Sequence, residues 1–227
     1  MRSVVLWDVG GTLVVDTMSK DEFVRRCLAA AGISLEQLTP DSLRSAEEVR
    51  SRLEPHWRTV EDEAAGRREI AAALLSDSPA TDDQVSRVAA GWQNYYDIYQ
   101  PVPGIRSILD ELKNMNVVQG VVSNWPPSLR AFLDHHDLGR YFKVIAGSGE
   151  LGVEKPDRAI FRHALSRLGV SASDCVFIGD NPENDVEPAR ELGMKAIHFD
   201  PRGSWPEADA RDAQQLRRHL MRILRGN

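Results

Sequence analysis

Apolar positions along this chain fall into two textures. The first is a set of short, continuous apolar runs at residues 4–7, 117–123, 143–146, 175–179 and 196–199. Runs of this length that do not alternate predict strands covered on both faces. Between them lie amphipathic helical patterns over 103–115, 126–139, 155–169 and 186–194. Gly139, Gly169 and Gly193 stand at or near the ends of three of these, where a left-handed residue stops a helix. Strand and helix in alternation predict an α/β fold with a parallel sheet and right-handed crossovers.

The second texture runs from about residue 17 to residue 100. It carries no strand pattern, is rich in Ala, Arg, Glu and Leu, and shows helical periods over 19–32, 39–54, 66–77 and 81–99. Thr39-Pro40 and Thr81 are natural helix starts, because a threonine oxygen accepts from the first free amides and proline fits the first turn. Trp92, Tyr95, Tyr96 and Tyr99 recur at helical spacing and read as a packing stripe. The segment "YQPVPG", residues 99–104, reads as the linker back. The expectation is an α/β core made from residues 1–15 and 101–227, interrupted by a helical cap domain over 16–100.

Composition narrows the functions by exclusion. The chain has 227 residues, 42% hydrophobic and 27% charged, as an ordinary globular protein does. A net charge of -6 argues against a nucleic-acid partner. The arginines of "LRRHLMRILRG" alternate with apolar residues at helical spacing and read as a solvated helix face. No apolar run nears the roughly 20 residues of a membrane span, and the N-terminus lacks a signal layout. Cys27 and Cys175 have no CxxC partners and read as buried free thiols in a reducing compartment, so a cytoplasmic protein is expected.

Candidate chemistry collects where the predicted strands end. In open parallel sheets, ligands bind outside the carboxyl ends of the strands. The first run ends in Asp8, inside "VVLWDVGGTLVV", and the second ends in Ser123-Asn124. The fourth ends in "GDNPEND", residues 179–185, which carries Asp180 and Asp185. A loop before the helical pattern "KPDRAIF" delivers Lys155. Three carboxylates brought together repel one another, and a hard divalent cation with oxygen ligands relieves that repulsion.

In this order the motifs resemble those of the haloacid dehalogenase-like hydrolase superfamily. "DVGGTLV" resembles its first motif, "VVSN" its second, Lys155 of "EKPDRAIF" its third and "GDNPEND" its fourth. The resemblance implies a Rossmannoid core with an all-helical C1 cap inserted after the first strand. For the phosphohydrolases of that superfamily it implies that Asp8 attacks phosphorus, forming an aspartyl-phosphate that water hydrolyses. It further implies Mg²⁺ held by Asp8, the backbone carbonyl of Gly10, Asp180 and Asp185, with a small phosphorylated metabolite as substrate. Ser123, Asn124 and the backbone at Gly11 and Thr12 would bind phosphate oxygens, Thr12 would buttress the loop, and Lys155 would neutralise charge in the transition state.

Gly10 departs from that pattern. The phosphatases carry a second aspartate two residues after the nucleophile, as general acid and then base, a role typically worth about 10²–10⁴-fold. Three readings follow. One is a metal-dependent phosphatase slow on alkyl phosphates; another is a 2-haloacid dehalogenase or C–P hydrolase; the third is a low-turnover binder of phosphate ligands. The acidic fourth motif would repel a haloacid carboxylate, and Phe161 stands six residues beyond Lys155, where those dehalogenases tend to carry tyrosine. Both features favour the first reading, and Lys20, the one lysine of the helical block, offers a C–P hydrolase little. Two residues keep two roles each. His56, in "EPHWRTVEDE", is either a proton donor from the cap or part of a surface turn anchored by Trp57. Trp125 either stacks on substrate at the mouth of the site or plugs the gap between core and cap.

Overall fold

A computed structural model describes residues 3–93 and 95–226. Strand β1 (Val4–Trp7) is followed by β2 (Val14–Asp16), which pairs antiparallel with β3 (Tyr99–Pro101). Strands β4 (Val118–Ser123), β5 (Val144–Gly147), β6 (Cys175–Gly179) and β7 (Lys195–His198) join β1 in a parallel sheet of order β5-β4-β1-β6-β7. Sequence order reverses at β1, so its carboxyl end opens into the crevice that such sheets use for ligands. The continuous apolar runs are covered on both faces, as their pattern predicts. Val5 and Trp7 join one hydrophobic cluster and Val4 and Leu6 the other.

Between β2 and β3 the described residues form helices α1 (Lys20–Ala30), α2 (Pro40–Leu53), α3 (Val60–Leu74) and α4 (Asp82–Gln93). They enclose a core of their own that includes Leu28, Trp57, Ile70, Leu74, Val88 and Trp92. The Thr39 hydroxyl accepts from the Ser42 amide at 3.0 Å and Thr81 from the Gln84 amide at 3.3 Å, so both predicted starts are formed. Helix α3 begins at Val60, six residues before its predicted start, because Thr59 caps it through the Asp62 amide. Around the sheet run α5 (Ile105–Asn114), α6 (Leu129–His135), the short α7 (Ser148–Leu151), α8 (Arg158–Leu168), α9 (Glu187–Glu191) and α10 (Ala213–Leu224).

Three local expectations change. The helical pattern read over 81–99 ends at Gln93; Asn94 lies outside the described residues, and a 3-10 turn at Tyr95–Ile98 leads into β3. The chain must leave the helix there because Tyr99–Pro101 pairs with Val14–Asp16, and this ladder replaces the expected free linker. The tyrosines still pack, since Tyr95, Tyr96 and Tyr99 lie 6.1, 5.4 and 5.5 Å from the Phe132 ring. Gly139 does not stop α6, which ends at His135. That glycine opens a 3-10 turn, and its bare Cα leaves room for the Asp134 carboxylate. Cys27 and Cys175 are buried free thiols, and no described helix is long and apolar enough to cross a membrane.

Phe177, 0% exposed in the middle of β6, meets Phe161 of α8 edge-on at 5.0 Å. Phe177→Ala is expected to lower the unfolding free energy by about 3–5 kcal/mol, read from the urea midpoint.

Candidate active site

Register brings the polar strand ends together. Trp7 is level with Val121 on one side and Ile178 on the other, so Asp8 emerges beside the ends of β4 and β6. Its amide donates to the Ile178 carbonyl at 2.9 Å, which fixes the backbone at that point. Asp8 Oδ1 accepts from Ser123 Oγ at 2.9 Å and from Lys155 Nζ at 2.6 Å. Among the described residues Oδ2 accepts no hydrogen bond. Lys155 Nζ also donates to Asp185 Oδ1 at 2.5 Å, and its side chain is only 4% exposed. Asp185 Oδ2 accepts from the Asn181 amide at 3.1 Å. A pocket of about 200 Å³ is lined by these groups with Gly10, Asn124, Trp125, Asp180 and Asn184.

The donor set suits a hard divalent cation. One carboxylate oxygen from each of Asp8, Asp180 and Asp185 lies within 4.8 Å of the others. Three anions face a single buried ammonium, and the half-exposed Arg202 guanidinium stands 3.7 Å from Asp180. The negative excess acts on the protonation of these groups. Burial, followed by the charges of Asp8 and Asp185, pushes the Asp180 carboxyl up to about 7. Burial pushes Asp185 up as well, against the pull of Lys155. Burial alone would lower the Lys155 ammonium, but Asp8 and Asp185 override it and hold it above the usual lysine range. Oxygen-only ligands at this spacing match the preference of Mg²⁺ and similar hard ions.

Two glycines make the approach of these groups possible. At Gly11, φ is +84°, and a Cβ there would run into the Asp180 carboxylate. At Gly179, a Cβ would run into Asp185.

Of the other residues expected at the site, Asn124 and Trp125 line the pocket, whereas Gly11, Thr12 and His56 do not. Gly11 and Thr12 stand behind the cluster and line no part of the pocket; their amides donate to the carbonyls of Val14 and Val9 inside the turn. Thr12 is fully buried. Asn124 lines the pocket, yet both ends of its amide serve Lys155: Nδ2 donates to the Lys155 carbonyl at 2.9 Å and Oδ1 accepts from its amide at 2.7 Å. His56 sits exposed on a 3-10 turn, and it lines neither this pocket nor the neighbouring cavity that Trp57 and Arg58 border. Trp125 fills the junction between the sheet and the helical block, against Tyr95, Tyr99 and Phe132.

Sequence reasoning missed several side chains near the site. Arg202 follows the last strand and pairs with Asp16 of β2 as well as approaching Asp180, a placement that the strand-end rule could have flagged. Glu63, Tyr95 and Ser128 form a buried polar chain leading to Trp125. The four-residue spacing of Glu63 and Arg67 in α3 signals an ion pair, but nothing in it signals burial.

Comparison with known proteins agrees with this architecture. The chain is 30% identical over 142 residues to a phosphoserine phosphatase of Thermus thermophilus, which is 62% of this chain and 57% of that protein's length. It thus spans little more than half of that relative. It is 27% identical to a glyceraldehyde 3-phosphate phosphatase of Methanopyrus kandleri over 225 residues, covering 93% of this chain and 89% of the other. The crystal structure of a 2-haloacid dehalogenase from Pseudomonas syringae pv. Tomato DC3000 superposes with a TM-score of 0.71 at 26% identity, covering 98% of this chain and 100% of that one. A family model of haloacid dehalogenase-like hydrolases matches residues 3–193, a span that holds every member of the Asp8 cluster, and the chain belongs to that family.

Proposed function

We propose that this protein is a Mg²⁺-dependent phosphatase acting on a small phosphate ester or anhydride through Asp8, with residues 16–100 forming a cap over the core of 1–15 and 101–227. The observation that carries the reading is the Asp8 carboxylate, held through Oδ1 by Ser123 and Lys155 in the wall of a pocket that Asp180 and Asp185 also line. Oδ2 forms the new bond to phosphorus, the bond to the leaving oxygen breaks, and the electron pair departs with that oxygen. Water then attacks the phosphorus, releasing phosphate and restoring the carboxylate. Ser123 and Lys155 keep the attacking carboxylate in one orientation, and the Lys155 charge offsets the negative charge of the phosphoryl oxygens. Asp8, the Gly10 carbonyl, Asp180 and Asp185 would hold the cation, which would supply electrostatic screening between the anionic nucleophile and the anionic substrate. Asn124 holds the Lys155 backbone from both ends, so the lysine is a fixed charge.

The phosphatases among its relatives support the phosphate reading. The dehalogenase neighbour is weighed against the same cluster: Asp180 and Asp185 beside Asp8 would repel the carboxylate of a haloacid. Phe161, at the position that favours tyrosine in dehalogenases, is fully buried against Phe177 and does not line the Asp8 pocket.

In an aryl phosphatase assay with Mg²⁺, EDTA and Asp8→Asn are each expected to lower kcat by about 10³-fold or more. Activity that survives either one rules this mechanism out. With Gly10 in place of a proton donor, kcat at saturating substrate should be about 10²-fold or more lower for alkyl phosphates than for aryl phosphates. Equal kcat values would mean that another group delivers the proton. Asp180→Asn should raise the melting temperature of the metal-free protein, by removing one of three crowded charges, and abolish the further rise on adding Mg²⁺. A metal-induced rise that persists in this variant would place the cation elsewhere.

A further inference from the structure

We propose that Trp125 is the wall that sets substrate size, and that Glu63, reaching in from the helical block, holds it in place. The proposal rests on the phosphate-ester reading above and adds the limit on the leaving group. Two cavities meet at this side chain. The pocket of about 200 Å³ contains Asp8 and Lys155. Beside it lies a cavity of about 490 Å³, walled by Trp57, Arg58, Pro126, Pro127 and Glu154 among others. Asn124 and Trp125 border both. Pockets for drug-sized ligands run from about 300 to 1,000 Å³, so the first cavity alone suits only a small molecule, whereas the second has room for a larger group. The ring also lies over the residue that lacks an acid, since a Cβ on Gly10 would sit 3.3 Å from Trp125 Cζ3.

A directional chain of hydrogen bonds fixes the ring. The indole N–H donates to Tyr95 Oη at 2.7 Å, Tyr95 Oη meets Ser128 Oγ at 3.0 Å, and Ser128 Oγ donates to Glu63 Oε1 at 3.0 Å. An indole can only donate and a carboxylate can only accept, so each hydroxyl between them passes its hydrogen towards Glu63. The Ser128 amide donates to the other Glu63 oxygen, also at 3.0 Å. Glu63 is only 3% exposed; Arg67 pairs with it at 2.6 Å and lays its guanidinium 4.8 Å over the Tyr95 ring. Every member is buried or nearly so and has a partner. The indole is therefore held at its nitrogen as well as by its faces, and the hold comes from α3 of the helical block.

Calorimetric titration with methylphosphonate and phenylphosphonate, in the presence of Mg²⁺, tests this without requiring turnover. The wild-type protein should favour the smaller ligand. Trp125→Ala should shift the affinity ratio towards phenylphosphonate by about tenfold or more. Tyr95→Phe keeps the ring and its stacking on Phe132 and removes only the relaying hydroxyl; it should shift the ratio the same way by about threefold, as should Glu63→Gln. General damage to the fold would weaken both ligands together and leave the ratio alone. If Trp125→Ala does not fold, Tyr95→Phe decides. An unchanged ratio in the variants overturns the wall, and a shift in Tyr95→Phe without one in Glu63→Gln overturns the part given to Glu63. Failure of the wild-type protein to bind either phosphonate overturns the phosphate site itself.

Discussion

The Lys155 ammonium, almost without solvent, sits 2.6 Å from Asp8 and 2.5 Å from Asp185, and the arrangement around the pocket depends on that bridge. Removing one partner from such a buried pair costs about 3–5 kcal/mol, because the other charge stays in a medium that solvates it poorly. Neither the lysine nor the two aspartates can hold these positions alone. Each comes from a different part of the fold: Asp8 from the end of β1, Asp185 from the turn after β6, and Lys155 from the loop between α7 and α8. The backbone arrangement that sets them is enforced twice. Strand register places Asp8 between β4 and β6, and Asn124, at the end of β4, clamps the Lys155 backbone through two hydrogen bonds.

Much of this was legible in the sequence because strand ends are easy to locate. A continuous apolar run followed at once by Asp8, Ser123 or Asp180 marks a carboxyl-terminal strand edge, and a parallel sheet puts all such edges on one side. Those side chains, with Asp185 and Lys155, do meet in the fold. The helical block was legible as well, through its Thr caps and helical spacing. What the sequence did not show depends on pairings far apart in the chain. Strands β2 and β3 have three residues each, too few to show a period, and they exist only because residues 14–16 and 99–101 find one another. The sequence leaves two roles open for His56 and Trp57, and the fold takes the surface turn, with His56 exposed and Trp57 anchored in the core of the helical block. Gly11 and Thr12 follow Asp8 as phosphate-binding residues would, but turn geometry spends their amides on Val14 and Val9.

The junction between the helical block and the sheet is held by polar groups as well as by apolar packing. Glu63 brings a negative charge from α3 to the amide and hydroxyl of Ser128, just ahead of α6, where the free amides of a helix start favour an anion. Leaving that carboxylate buried without Ser128 or Arg67 would be costly, so it fits one docked arrangement better than any displaced one. Arg202 ties the opposite side. Its guanidinium pairs with Asp16 of β2 and reaches towards Asp180, so one cation serves both the strand that leads into the helical block and the acidic cluster.

Gly10 gains a structural meaning from these contacts. An aspartate at that position would have to share space with the Trp125 ring, which stands in contact distance of its would-be Cβ and is tethered at the indole nitrogen. Glycine and tryptophan are thus complementary: the missing side chain makes room for the ring, and the ring covers the place from which a proton donor would act. Substituting Gly10 alone therefore meets resistance from a network rooted in Glu63, which stands in α3 of the helical block, a different part of the fold. The absence of the acid and the presence of the ring form one feature of the site, and its chemistry and its capacity are set together.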